Sequence, residues 1–174
     1  MTPDPLSSVE IFRSYIAPAL APLIVAIGWV VVSRDNDRRE TRKEIRSLIN
    51  ELIKRAEKLT DEAQYYFCEL KNSTDDARSA EIKIKQGLER LDSLLQVLVK
   101  MEKRFDQAST SVGKFMDVIT GHEKFESRSY TRKFSIDHVD VMKIALAQAD
   151  LFNVLETIYI DTQIKRPWPY PPDD

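Results

Sequence analysis

Between residues 23 and 166 the chain has no proline, and its four glycines are scattered at 28, 87, 113 and 121. So long a stretch with so few breakers favours helix. Cys68 is the only cysteine, which excludes an intramolecular disulfide framework and agrees with a reducing compartment. There is no glycine-rich phosphate loop and no nucleophile elbow. Neither sign of charge dominates: 26 basic residues meet 28 acidic ones, a formal net charge of −2. That balance leaves no global electrostatic footprint for nucleic acid. The most telling absence is local. Residues 14–33 carry no charged side chain, although 31% of the whole chain is charged.

Twenty uncharged residues at 1.5 Å each make about 30 Å of helix, the thickness of a bilayer's hydrocarbon core. The segment therefore predicts a transmembrane helix over 14–33. A secretory signal would need a basic leader, a shorter apolar run and a small-residue cleavage site. Here the leader holds Asp4, Glu10 and Arg13, and Trp29, Val30, Val31 and Val32 end the run. Tyr15 and Trp29 near the ends suit interfacial aromatics. Pro18 and Pro22 bend the anchor or, with Ala17, Ala21 and Gly28, give a second helix close access. Arg34, Arg38, Arg39, Arg42, Lys43 and Arg46 follow the run, and basic flanks stay on the cytoplasmic side. Each basic residue near an anionic leaflet contributes about 1 kcal/mol. The expected topology is an outward N-terminus, a single pass through a bacterial inner membrane, and a cytoplasmic remainder.

Beyond the basic run, Ile45, Ile49, Leu52, Ala56, Leu59, Ala63, Tyr66 and Leu70 alternate spacings of four and three. That rhythm keeps one seam on a helix, and Leu48, Ile53 and Phe67 widen it toward a bundle face. Asn72, Ser73, Thr74, Asp75 and Asp76 form the first break, with capping side chains and acids suited to a helix N-terminus. A second seam follows through Ile84, Leu88, Leu91, Leu95, Leu98 and Phe105. Glu102 interrupts it, and Met101 can take its place. The short connection predicts that this helix returns antiparallel to the first. Val112, Phe115, Met116 and Ile119 share a third, weaker face, and Gly121 would end it. The last helix runs to about Ile164 and is apolar on more than one side, so it either fills the bundle centre or binds another chain.

The expected organisation is all-α: an external tail at 1–13, a transmembrane helix at 14–33, and a cytoplasmic antiparallel bundle of three or four helices at 34–166. The bundle helices fall at about 35–71, 76–106, 110–120 and 136–164, and a proline-rich tail occupies 167–174. One N-terminal anchor running into a charged helix is similar in layout to membrane stalk subunits such as the b subunit of ATP synthase. The resemblance is architectural, because this chain folds back where a stalk runs straight.

Few residues invite chemistry. His138 lies between Asp137 and Asp140 at a helix start, but His138 and Asp140 are two apart and do not share a helical face. A solvated helix N-terminus explains them, and His122 falls in a turn. Cys68 reads as a small core residue without a nearby base. No metal, cofactor or catalytic residue is assigned. Lys124, Arg128, Arg132 and Lys133 interleave with Phe125, Tyr130 and Phe134. That mixture suits a loop anchored by its aromatics, a lipid or protein contact, or base stacking. In the tail, Arg166, Pro169 and Pro172 have the spacing of a polyproline II ligand for an aromatic groove. Alternatively, Trp168 and Tyr170 pack back on the bundle.

Three functional readings follow. The first is a membrane-tethered interaction, scaffold or regulatory module whose bundle engages a protein partner or a second copy, with lipid as its other contact. The second is a small membrane effector of the toxin, exclusion or phage-defence type, acting through Pro18 and Pro22. The third, least supported, is an enzyme at the membrane surface.

Overall fold

A computed structural model describes Phe12 and residues 17–70, 74–127 and 134–164, except for the side chains at 17, 19, 21 and 74. The described residues are helical with no strand, in four long elements: α1 (Ala17–Gln64), α2 (Thr74–Met101), α3 (Ser109–Thr120) and α4 (Val139–Tyr159). A π-helical turn, Tyr65–Glu69, ends α1, a 3-10 turn, Lys103–Ala108, joins α2 to α3, and a second π turn, Ile160–Ile164, extends α4. The chain divides into two compact units, Met1–Lys43 and Glu44–Asp174.

The first unit corrects the membrane reading. Among the described residues no helix is long and apolar enough to cross a membrane. Residues 14–16, Tyr15 with them, lie outside the described residues. The uncharged part of α1 whose side chains are all described, 22–33, rises only about 18 Å, against roughly 30 Å of hydrocarbon. Arg34 and Asp35 then open a charged stretch in the same helix. The single pass, the outward N-terminus, the cytoplasmic assignment and the inner-membrane location all rested on that span and go with it. The anchor roles given to Tyr15, Pro18, Pro22 and Trp29 go too, as does the juxtamembrane role of the basic run. Pro18 sits in the first turn of α1, where an amide hydrogen is not needed, and Pro22 lies inside the helix. Trp29 is 72% exposed. Arg39 bonds Asp35 at 2.8 Å one turn back, and Thr41 Oγ1 donates to the Asp37 carbonyl.

The second unit is an up-down-up-down bundle. Tyr66 bonds Glu81 while Leu59 packs at Gly87, so α2 runs antiparallel to α1. Arg46 bonds Glu156 while the Phe67 carbonyl receives the Phe134 amide, so α4 also runs antiparallel to α1. Ser111 reaches Asp150 and His122 reaches Asp140, which sets α3 antiparallel to α4. The first seam, Ile45 through Leu70, is buried at every position, and so is the second, from Ile84 through Phe105. Val112, Phe115 and Ile119 add the face of α3, and Val141, Ile144, Leu151, Leu155 and Ile158 that of α4. At Gly87 an added Cβ would lie 2.5 Å from Leu59 Cδ2, so glycine sets how closely α1 and α2 approach.

The helix predicted over 76–106 ends at Met101. Glu102 adopts an extended backbone, and its carboxylate accepts the Arg104 amide at 3.5 Å, starting the 3-10 turn. The residue that interrupts the seam thus also interrupts the helix, and Phe105 reaches the core from the turn.

Thr60 is buried on α1 and, among the described residues, its Oγ1 has no hydrogen-bond partner. A buried hydroxyl without a partner keeps its desolvation penalty, whereas a methyl of similar shape does not. Thr60→Val is expected to stabilise the protein by about 1 kcal/mol. Urea unfolding should show a higher midpoint at an unchanged slope; a lower midpoint would contradict this.

Candidate interaction interface

α4 starts in a knot of rings and polar groups. His138 precedes the helix with extended backbone, and its Nδ1 accepts the Asp140 amide at 3.3 Å. His122 Nδ1 accepts the Lys124 amide at 3.0 Å and so tightens the turn after α3. With both Nδ1 atoms accepting, Nε2 is the donor of each ring. His122 Nε2 points at Asp140 Oδ2, 3.4 Å away, and Lys143 Nζ holds Asp140 Oδ1 at 2.8 Å. Phe134 stacks on His138 at 4.0 Å between centroids and meets His122 edge-on at 5.1 Å. The space between Phe67, Val118, Phe134 and Ile144 is open to solvent and encloses no cavity for a small molecule. Among the described residues no group of three or more His, Cys, Asp or Glu side chains could hold a metal ion. His138 serves a backbone amide at the start of α4, and His122 one in the turn after α3.

The Asp140 carboxyl is held below the usual carboxylate range, chiefly by the Lys143 hydrogen bond and further by His122, against an opposing desolvation effect. A carboxyl with a lowered folded-state pKa stabilises the fold above its unfolded pKa. That contribution is lost as pH falls through the folded value. In Asp140→Asn, the part of the acid-limb loss of stability that comes from this group should disappear. Unfolding midpoints measured from neutral pH down to below the carboxylate range would show it as a flatter curve than wild type; superimposable curves would refute it.

Several residues singled out as contacts are engaged within the chain. Arg46 Nη1 donates to both carboxylate oxygens of Glu156 at 2.8 Å, and its guanidinium lies 5.3 Å from the centre of the Tyr159 ring. Hydrogen bonding to Glu156 raises the guanidinium's pKa, with burial opposing. It therefore ties α1 to α4. Lys124 Nζ lies 3.6 Å from the centre of the Phe134 ring, a cation–π contact, and Phe125 is buried. Arg34, Arg38, Arg39 and Lys43 are exposed and Arg42 is half-buried. Arg128, Tyr130, Arg132, Lys133, Arg166, Pro169 and Pro172 lie outside the described residues, as do Trp168 and Tyr170. Cys68 is partly buried, and desolvation, then Glu69, raises its pKa.

Periodicity alone leaves open which sides of α4 are covered. The side carrying Val141, Ile144, Leu151, Leu155, Ile158 and Thr162 is buried. On the opposite side Val139, Met142 and Leu146 are 64%, 54% and 67% exposed, and Ala149, Asn153, Ile160 and Ile164 continue the row. These residues step mostly by three and four, so they form one stripe along the helix. Ile136, just ahead of the helix, is exposed beside them. Isolated exposed apolar residues are ordinary, but here they cluster at both ends of one side, Val139, Met142 and Leu146 at the start and Ile160 and Ile164 at the end, which marks a contact surface. No protein-family model, curated protein or solved structure matches the chain.

Proposed function

We propose that the bundle is a protein-interaction module, with a scaffolding or regulatory role, that engages a protein partner through the uncovered side of α4. The observation that carries this reading is the exposed row Val139, Met142, Leu146, Ile160 and Ile164 opposite a fully packed side of the same helix. A helix needs only one apolar side to dock on its own bundle. The second side adds no stability to the described fold and carries an aggregation cost, which a partner would remove. The polar groups nearby support the same reading, since His122, His138 and Asp140 are occupied in forming the start of α4.

The test is photo-cross-linking in cells that express the full chain. Met142→p-benzoylphenylalanine should give a covalent protein adduct. The same probe at Glu89, an exposed position on α2, should not. Absence of any adduct from position 142 would overturn the proposal.

A further inference from the structure

Building on the reading of α4 as a docking surface, we propose that two histidines make the start of α4 a proton-sensitive latch. It holds Val139, Met142 and Leu146 in place for a partner near neutral pH and loosens them on acidification. The latch is a pair of hydrogen bonds that run in one direction. His122 Nδ1 accepts the Lys124 amide at 3.0 Å, and His138 Nδ1 accepts the Asp140 amide at 3.3 Å. A backbone amide only donates, so in this arrangement each Nδ1 is free of a proton. Imidazole is the side chain that ordinarily changes charge between about pH 5 and 8. A doubly protonated ring donates at both nitrogens, and neither bond then forms.

The groups around the rings set the direction of the effect. Asp140 Oδ2 lies 3.4 Å from His122 Nε2 and 3.5 Å from His138 Nδ1, and it attracts a charged ring. Yet it is one carboxylate for two rings, and Lys143 Nζ already holds its other oxygen at 2.8 Å. His122 meets Asp140 through Nε2, the nitrogen that donates in either state, so protonation brings its Nδ1 no new partner. Rotation does not relieve this, because the His122 side chain is only 16% exposed and meets Phe67 and Phe134 edge-on. His138 can turn Nδ1 to the Asp140 carboxylate, but that leaves the Asp140 amide bare and puts a cation at a helix N-terminus. The other facing groups offer no anion: Phe67 from the π turn after α1, Val118 from α3, and Phe134 ahead of α4. Lys124, from the turn after α3, lies 3.6 Å from the centre of the same Phe134 ring on which His138 stacks. Glu123 and Asp137, next to the two histidines in sequence, are exposed. The latched form therefore binds fewer protons than the loosened one, and falling pH favours the loosened one.

The latch and the docking row share the first turns of α4. Val139 is the first residue of the helix, and the Met142 amide donates to the His138 carbonyl at 3.0 Å. Leu146 follows one turn later. Loosening this end takes Val139 and Met142 off the row and leaves Ile160 and Ile164 at the far end.

The experiment is amide exchange of the full chain by NMR at about pH 7.5 and about pH 5.5, either side of the ordinary imidazole range, each rate divided by the intrinsic rate at that pH. Protection at Lys124, Asp140 and Met142 should fall roughly 10-fold at the lower pH, while Leu95 in the middle of α2 keeps its protection. His122→Asn and His138→Asn each supply a side-chain acceptor two residues before the amide that does not titrate. Each should abolish the pH response at its own amide, Lys124 or Asp140. Unchanged protection in wild type overturns the latch whatever the variants do. So does a response that persists in the double variant. The regulatory consequence is read by the probe at position 142, in cells with internal pH clamped at the same two values. The adduct should drop several-fold at the lower pH, in step with the lost protection. Equal yields at both values overturn control of docking by the latch. If no adduct forms at either pH, the docking reading fails, while the exchange rates decide the latch by themselves.

Discussion

Phe115→Ala is expected to cost about 3–5 kcal/mol. Phe115 is fully buried in the middle of α3, a helix of only 12 residues. A helix that short has little stability of its own in water, so α3 persists because Val112, Phe115 and Ile119 dock it against its neighbours. Removing the ring takes away the central contact and leaves a cavity that the neighbouring elements close only in part. With a total stability of about 5–15 kcal/mol for a domain of this kind, the variant would be near the limit of folding. Calorimetry should show the melting temperature lowered by roughly 10 °C or more. Amide exchange should speed up across Ser109–Thr120 before it does elsewhere. A loss below about 1 kcal/mol would mean that α3 is held by something other than this face.

Tyr66→Phe, which removes one oxygen, should cost about 1.5–3 kcal/mol. The phenol donates to Glu81 Oε1 at 2.6 Å, and the Lys124 carbonyl lies farther off, at 3.3 Å. Tyr66 and Glu81 are both buried, so the bond serves a carboxylate withdrawn from water. Hydrogen bonds to charged groups exceed neutral ones, and the acceptor left behind bears the loss. The ring itself stays, meeting Phe67 edge-on at 5.0 Å and Phe125 at 5.5 Å. The substitution therefore isolates the hydroxyl from the packing. Adding Glu81→Gln should relieve part of the penalty, because a neutral amide is less costly to bury than a carboxylate. Denaturant midpoints of the two single variants and the double variant measure this coupling. Strictly additive losses would show that the two groups do not act together.

Much of the architecture is legible along the chain because helix packing has a short period. Ile45, Ile49, Leu52, Ala56, Leu59, Ala63, Tyr66 and Leu70 share a side by spacing alone, and that side is the buried one. The second seam is legible for the same reason, and Asp75 and Asp76 fall in the first turn of α2 as their charge favours. The break at Glu102 is half visible. Its misfit in the seam can be read, but not that its carboxylate closes a turn. The uncharged run at 14–33 suggests a membrane span that the structure does not support. Absence of charge over a length is a property of composition, and the described helix of 48 residues carries its part of that run, 17–33, into a charged stretch.

Pairings between distant residues are not legible. Arg46 and Glu156 are 110 positions apart, and nothing local marks either as the other's partner. Along the chain Arg46 is one more member of a basic run; the fold places it across from α4. His122 and Asp140 likewise meet only because α3 and α4 run antiparallel. The sequence by itself determined that this protein is built of helices, which positions form the two long seams, and that α4 is apolar on more than one side. Periodicity does this because residues three and four apart meet on any helix, whatever surrounds it. Only the tertiary structure decided which side of α4 packs into the core and which is left exposed. That choice depends on where three other helices lie, and no local spacing contains it.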